Sequence, residues 1–434
     1  MDRLDIGLLG IVVTLVMIGL RVPISVAMGV VAFVGIFFMM GINAAIGIAK
    51  AIPYELVGDW NLSAVPMFLL MGYVASGAGL TSGLFAAARV FLNRVPGGLA
   101  TATVASSAMF ASASGSSVAT AAAFSRIAIP EMLKAGYAPS LAAGSVAAAG
   151  TLGSLIPPSV LLIVFGLMMD VSISELFIAG VVPGLLSAVM FVAMITLRTT
   201  LKPELAPRLN ERYSMAEKLA LLRDVWPLPL LITGVLGGIF LGIFTATEAG
   251  AIGAFLACVI AAGRRRLTLH VLRNALIDTA LGTSAIFIIV VGAALFARFI
   301  ALSTVPVWVT GMMDGFSPIW VVLMIGALYL VLGCFLESIS IMMLTLPVLA
   351  PLLHLLGIDL IWFGILATKL LEIGLVTPPV GMNVYVIRSS LGTLIPLGEI
   401  FRGVSWFILA DVITLALLIA FPAISLWLPA LMAN

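Results

Sequence analysis

Residues 371–386 read LEIGLVTPPVGMNVYV. The segment is apolar enough for a bilayer, yet Gly374, Thr377, Pro378, Pro379, Gly381 and Asn383 interrupt it. Proline inside a helix removes a donor and clashes with the preceding turn. In lipid, each freed carbonyl costs several kcal/mol unless something binds it. Such a break survives only where the unwound backbone lines a cavity or is buried in protein. Residues 150–160, GTLGSLIPPSV, are built in the same way.

Laid over one another, the two stretches align at an offset of 221, with Gly153 on Gly374, Pro157 on Pro378 and Pro158 on Pro379. The same offset puts Pro130 on Pro351 and Gly136 on Gly357. This coincidence predicts an internal repeat, with a first half over 1–198 and a second over 226–434. The connection over 199–225 is an extramembrane linker, because ten charges and two prolines crowd into 198–224. A second basic cluster, GRRRLTLHVLR, follows at 263–273. Short Lys/Arg-rich loops stay cytoplasmic, which places both clusters inside and makes the two apolar runs between them an out-and-back pair. Arg21, between the first two apolar runs, falls inside by the same rule, so the first half starts outside and the second inside. The halves are then inverted, an architecture common among secondary transporters.

Composition agrees. Of 434 residues, 62% are hydrophobic and 9% charged, with a mean hydropathy of +1.27, far from the range of soluble domains. The expected fold is an all-α polytopic membrane protein of about 11–14 membrane segments by the 20-residue rule. No alternating ten-residue segments suggest a barrel. A net charge of +2 without a basic patch gives no reason to expect a nucleic-acid partner. Cys258 and Cys334 lie in apolar runs and read as small packing residues. The N-terminus lacks a cationic start and a small-residue cleavage site, so its apolar run reads as a retained helix.

Two further segments carry oxygen. MFASASGSSVATAA, at 109–122, sets Ser112, Ser114, Ser116 and Ser117 around Gly115 within an uncharged run. This pattern predicts the tip of a re-entrant helical hairpin. Its counterpart at the same offset, CFLESISIMMLTLP at 334–347, places Glu337 on Ser116, with Ser338 and Ser340 beside it. Each tip precedes its diproline by about forty residues, enough for one return arm and one half-helix. Unwound carbonyls with Ser, Thr and Asn oxygens suit a small hard cation, and half-helix N-termini suit an anion. Taken singly, Ser and Gly in membrane helices are most often packing residues, and a diproline is usually a repaired kink. The functional reading rests on the constellation occurring twice. Glu337 is an intramembrane carboxylate and so functional by default. Glu372 follows Lys369 by three residues and is expected to pair with it. Glu248, Asp278, Arg298 and Asp411 stand isolated among apolar residues.

In combination these motifs resemble the large membrane subunit of tripartite ATP-independent periplasmic (TRAP) transporters. The likeness rests on SGSSVATAAAFSRIAIPEMLKAGYAP, AAAGTLGSLIPPSV and the run from LESISIMM to TPPVGMNVYV, with RVPISVAMG and TATEAGAIGA elsewhere. It implies a bacterial inner-membrane, multi-pass protein that imports an organic acid, a dicarboxylate or sugar acid, on a sodium gradient. A periplasmic substrate-binding protein would deliver the solute, and a small membrane subunit would pack alongside in the lipid bilayer. Hairpins and broken helices would form an elevator-type transport domain, as in the wider ion-transporter superfamily. By that resemblance one Na⁺ site involves Ser112, Ser114, Gly115, Gly150, Thr151, Gly153 and Pro157. The other involves Glu337, Ser340, Gly374, Thr377, Pro378 and Gly381. The solute would lie near Ser116, Ser117, Ser159, Ser338 and Asn383. Glu337 departs from the aspartate or glycine-like tip expected of many members.

A rival reading is a self-sufficient ion-coupled dicarboxylate carrier or ion antiporter that needs no binding protein. An enzyme's membrane anchor would need several His, Cys or paired acids on facing helices. The two histidines argue against that, and no GxxxxGK[ST] motif exists. No catalytic residue and no cofactor beyond Na⁺ as coupling ion is expected.

Overall fold

The computed structural model describes residues 2–207, 213–313 and 315–432. Part of the predicted linker, 208–212, lies outside the described residues. The first half runs through α1 (Arg3–Gly19), α2 (Ile24–Met40), α3 (Ile42–Val57), α4 (Ala64–Gly77) and α5 (Leu84–Leu92). A hairpin follows, α6 (Gly98–Ser114) and α7 (Ser117–Lys134), then the interrupted pair α8 (Pro139–Leu155) and α9 (Val160–Met169), then α10 (Ile173–Leu201). The linker contains α11 (Met215–Val225). The second half continues with α12 (Pro227–Phe240), α13 (Ala246–Gly263), α14 (Leu269–Leu302) and α15 (Val305–Met312). Its hairpin is α16 (Pro318–Gly333) and α17 (Ser338–Leu355), and its interrupted pair α18 (Leu360–Gly374) and α19 (Met382–Leu391). The chain closes with α20 (Leu397–Ala420) and α21 (Ala423–Met432).

Both predicted hairpins and both predicted interruptions are present, in the same order in each half. Local chemistry sets them. Gly115 ends α6 in the left-handed region at φ +61°, where a side chain is strained. Ser116 then caps α7 by accepting the Ala119 N–H at 3.4 Å. In the first interruption Ile156 turns extended, Pro157–Pro158 cannot donate, and Ser159 recaps α9 through the Leu162 N–H at 3.4 Å. The axis bends there by 40°. In the second, the chain leaves α18 after Gly374 and re-enters helix at Gly381, φ +62°.

The inversion is visible in what α20 touches. Near its start, Gly403 lies against the Ser140 carbonyl and Gly144 at the start of α8. Near its end, the Leu418 carbonyl accepts the Trp362 indole N–H at 2.9 Å, at the start of α18. The two interrupted helices therefore begin at opposite ends of α20 and run antiparallel. The hairpins obey the same rule. Both ends of the first meet the linker end of α10: Gly97 lies against Ile195 and Thr199, and the Ala138 N–H donates to Leu205 at 2.9 Å. The second hairpin follows α14, whose 34 residues carry the chain about 50 Å from the basic cluster. That cluster sits on the linker face, where Arg264 Nη1 donates to the Asp224 carbonyl at 2.8 Å.

Among the described residues, five helices are long and apolar enough to cross a bilayer, or seven when the bent pairs α8–α9 and α11–α12 each count once. That is fewer than the 11–14 expected. Many apolar helices stop at 14–17 residues, α2, α4, α6, α16 and α18 among them; the first tip ends α6, the second tip ends α16, and the second interruption ends α18. Long uncharged runs thus divide into arms rather than full crossings. Small residues hold these arms together: α8, rich in Ala and Gly, packs its backbone against α6, α7 and α20.

Candidate functional site

The two tips and the two interruptions converge on one cavity of ≈ 470 Å³. Ser114, Gly115, Ser116 and Ser117 of the first tip face Glu337 and Ser338 of the second across it. Ser154 comes from α8 and Glu372 from α18. Helices α4 and α14 close the remaining side with Tyr73 and Ser76, and with Gly282 and Ile286. Here α4 approaches closely, since a Cβ on Gly72 would stand 2.2 Å from the Ala113 carbonyl oxygen. The wall is mostly apolar with hydroxyls and two carboxylates. Among the described residues no Lys, Arg or His lines it.

Glu372 is the centre of this arrangement. Its Oε2 accepts the Ser117 hydroxyl in a short bond, and its Oε1 accepts the Ser338 hydroxyl at 3.3 Å. Ser117 also meets Ser154 Oγ at 2.9 Å. Ser117 and Ser338 are the first residues of α7 and α17, so one carboxylate from the second half ties together both tips. Its expected pairing with Lys369 is corrected by the structure. The Lys369 ammonium donates instead to Asp411 Oδ1, in a short contact, and to Ser187 Oγ at 3.0 Å. Asp411 is accordingly not isolated but half of a buried ion pair joining α18 to α20. Glu248 is not isolated either; it closes a capping box, with Oε2 accepting the Thr245 N–H at 2.8 Å.

The Glu372 carboxylate is met by neutral hydroxyls from the first residues of α7 and α17. Two helix N-termini contribute at most about 2 kcal/mol each, and hydroxyl donors add roughly 1.5–3 kcal/mol each. Burial of an unpaired ion costs several kcal/mol, and Glu372 is 1% exposed. The helix ends favour an anion in the cavity, while Glu337 and Glu372 favour a cation.

The sequence-predicted residues divide into three sets. Ser114, Gly115, Ser116, Ser117, Glu337 and Ser338 line the cavity together. A second set is buried behind it. Ser112 donates to the Ala108 carbonyl at 3.2 Å, Thr151 to Ala148 at 2.7 Å, and Ser340 to Glu337 at 3.3 Å. Ser159 caps α9, Pro157 is buried in the interruption, and Gly150 packs 3.0 Å from the Ala121 Cβ through its own ideal Cβ position. Gly153 and Gly374 bring their interruptions against the hairpins, as described below. The third set surrounds the second interruption: Thr377 donates to Ile373 at 2.6 Å, Pro378 is exposed, and the Gly381 N–H reaches the Cys334 carbonyl at 3.4 Å. Asn383 is fully buried, and neither amide atom has a hydrogen-bond partner.

Ser154 and Glu372 were missed by the sequence reading, although an intramembrane carboxylate two residues before Gly374 was a signal that could have found Glu372. The nearby lysine drew the assignment away from the tips.

Comparison with known proteins bears on this geometry. Residues 11–424 match the family model described as tripartite ATP-independent periplasmic transporter, DctM component. The C4-dicarboxylate TRAP transporter large permease protein DctM of Pseudomonas aeruginosa is 35% identical, over 87% of this chain and 88% of that one. The sialic acid TRAP transporter large permease protein SiaM of Vibrio cholerae is 33% identical, over 92% and 93%. The isethionate TRAP transporter permease protein DctMQ of Oleidesulfovibrio alaskensis is 33% identical, over 84% and 57%. Among solved structures, the YdaH transporter of Alcanivorax borkumensis superposes with a TM-score of 0.54 over 85% of this chain and 88% of that one, at 16% identity, a likeness of fold.

Proposed function

This chain belongs to the DctM-component family of tripartite ATP-independent periplasmic transporters, and from that premise we propose that it imports an organic acid coupled to sodium. It is an integral inner-membrane protein and a large permease, a transporter and not an enzyme. In this reading a periplasmic substrate-binding protein delivers the solute and a small membrane subunit completes the permease. The hairpins and interrupted helices move together past α4 and α14 in an elevator-type cycle. The class of solute is a dicarboxylate or sugar acid, in keeping with the names its relatives carry.

One observation carries the reading: a single cavity lies where both inverted tips meet both interruptions, with helix N-termini beside carboxylates. An anion alone would be repelled by Glu337 and Glu372, and a cation alone would meet the positive ends of α7 and α17. Anion and cation together satisfy both, which is the electrostatic requirement for coupled transport.

The test is reconstitution of the chain with its co-purified small subunit. Uptake of a labelled organic acid should require outside sodium and a soluble binding protein. Uptake by the chain alone would instead establish the self-sufficient carrier, and indifference to the sodium gradient would remove the coupling ion. Ser116→Ala and Thr377→Ala are expected to raise the sodium concentration for half-maximal uptake while the protein still inserts. Unchanged sodium titrations in both variants would remove these two residues from the ion sites.

A further inference from the structure

We propose that the groove between the linker ends of α10 and α20 binds the phosphate of an anionic phospholipid, held by Arg198 and Arg402 beside Trp406. The site needs only the bilayer around the chain and does not rest on the transport reading.

The two helix ends lie together: Gly403 of α20 abuts Ser140 of α8, whose preceding Ala138 bonds Leu205 just past α10. There the Arg198 guanidinium lies over the Trp406 ring, 4.7 Å from its centroid. The ring covers one face of the cation, and Arg198 Nη1 is shielded from solvent without a hydrogen-bond partner. A snorkelling arginine lays its stem on apolar surface and keeps its head in water, which this enclosed nitrogen does not do. Among the described residues no carboxylate pairs with Arg198 or with Lys202, one turn further along at the end of α10. A desolvated cation without an anion is costly. Its planar fork can stack on a ring and still present an edge to a phosphate.

Arg402 stands one turn from Trp406, on the same face of α20 and nearer the linker. It pairs with Glu399 at 3.0 Å, with the arginine side chain 80% exposed. Surface pairs of this kind hold weakly, so Arg402 can turn to an anion in the groove. Glu204, two residues beyond Lys202, is exposed.

Position selects the anion. Charge distribution puts the linker ends on the cytoplasmic side, where anionic headgroups gather and basic pockets between helices bind them. Trp406 is 46% exposed, and tryptophan is enriched at membrane interfaces. Leu197, Leu201 and Leu409 are exposed on the same helices. Acyl chains cover such a surface, and a free phosphate has no use for it.

The test uses the chain purified with its small subunit, stripped of lipid in detergent. It is titrated with phosphatidylglycerol, phosphatidylcholine or inorganic phosphate while thermal unfolding is followed, and native mass spectrometry counts bound lipid. Phosphatidylglycerol should stabilise the wild type and remain bound; phosphatidylcholine and phosphate at equal concentration should do neither. Arg198→Gln should raise the half-saturating phosphatidylglycerol concentration about 10-fold or more, the loss of one charge-assisted contact. Arg402→Gln should raise it by a smaller factor. Arg298→Gln, exposed near the far end of α14, should leave it unchanged. An unchanged titration in Arg198→Gln, or equal stabilisation of the wild type by phosphatidylcholine, overturns the proposal. Protection by phosphate alone also overturns it, assigning the site to a free anion. So does loss of the small subunit from Arg198→Gln with the lipid titration intact, which would give this face to that subunit. Should Arg198→Gln not fold, Arg402→Gln decides: a weakened titration supports the site and an unchanged one overturns it. Failed uptake in the reconstitution would strike the transport reading alone, since no solute enters these measurements.

Discussion

Lys369→Ala is expected to remove most folded protein from the membrane fraction, by far the largest effect of any single substitution in the interior. Lys369 and Asp411 are both essentially inaccessible and bonded to each other. Removing the ammonium leaves Asp411 charged, enclosed and without its partner, and breaking a buried pair in this way costs about 3–5 kcal/mol. Whole domains are typically stable by roughly 5–15 kcal/mol, so such a loss takes a large share. The Lys369→Met, Asp411→Leu double variant should recover much of the loss, because it removes both charges and keeps apolar volume against Phe191 and Phe407, whose centroids are 5.5 Å apart. Detergent-solubilised yield by size-exclusion chromatography, with thermal unfolding, measures both. A single variant as stable as the wild type would show that this pair does not hold α18 to α20.

Gly153→Ala and Gly374→Ala should each abolish most uptake while leaving a chain that inserts. These are the repeat-related glycines before the two diprolines. A Cβ at Gly153 would stand 2.9 Å from the Ser116 carbonyl carbon and oxygen and 3.0 Å from the Ser117 nitrogen. At Gly374 it would stand 2.6 Å from the Gly333 Cα and 2.8 Å from the Gly333 carbonyl carbon. These are backbone atoms, which cannot rotate away, so each hairpin must shift. Overpacking of this kind costs about 1–3 kcal/mol. The larger consequence is functional, since the displaced residues at 116 and 117 include a hydroxyl that meets Glu372. Gly237→Ala is the matched control, because a Cβ there meets nothing within 4 Å. It should be neutral or stabilising by roughly 0.5–1 kcal/mol through helix propensity. Full uptake in both alanine variants would mean that the close approach of hairpin and interrupted helix is dispensable.

Much of this architecture was legible in the chain, for a local reason. Gly115, Gly153, Gly374 and the two diprolines act on their own backbone, by permitting left-handed or close-approach geometry and by withholding N–H donors. The left-handed turn at Gly115 and the missing donors of the diprolines do not depend on what packs nearby, so the tips and interruptions could be placed by residue number. Repetition at one offset then carried the hairpin-and-interruption order from one half to the other. Helix count was less legible, since hydropathy marks an uncharged run but not how many arms it holds.

Partner choice was not legible at all. Lys369 sits three residues from Glu372 in sequence, yet it bonds Asp411, 42 residues on, while Glu372 bonds Ser117, 255 residues back. From the amino-acid sequence alone came the bilayer as solvent, the two halves, their opposed directions and the four breaks in them, because each follows from solvation or from backbone chemistry within a few residues. Which carboxylate joins the tips, and which lysine is already committed, depended on the faces that α18 turns toward α7, α17 and α20. That is a matter of rotation and packing between helices whose apolar surfaces look alike along the chain, and only the tertiary structure decides it.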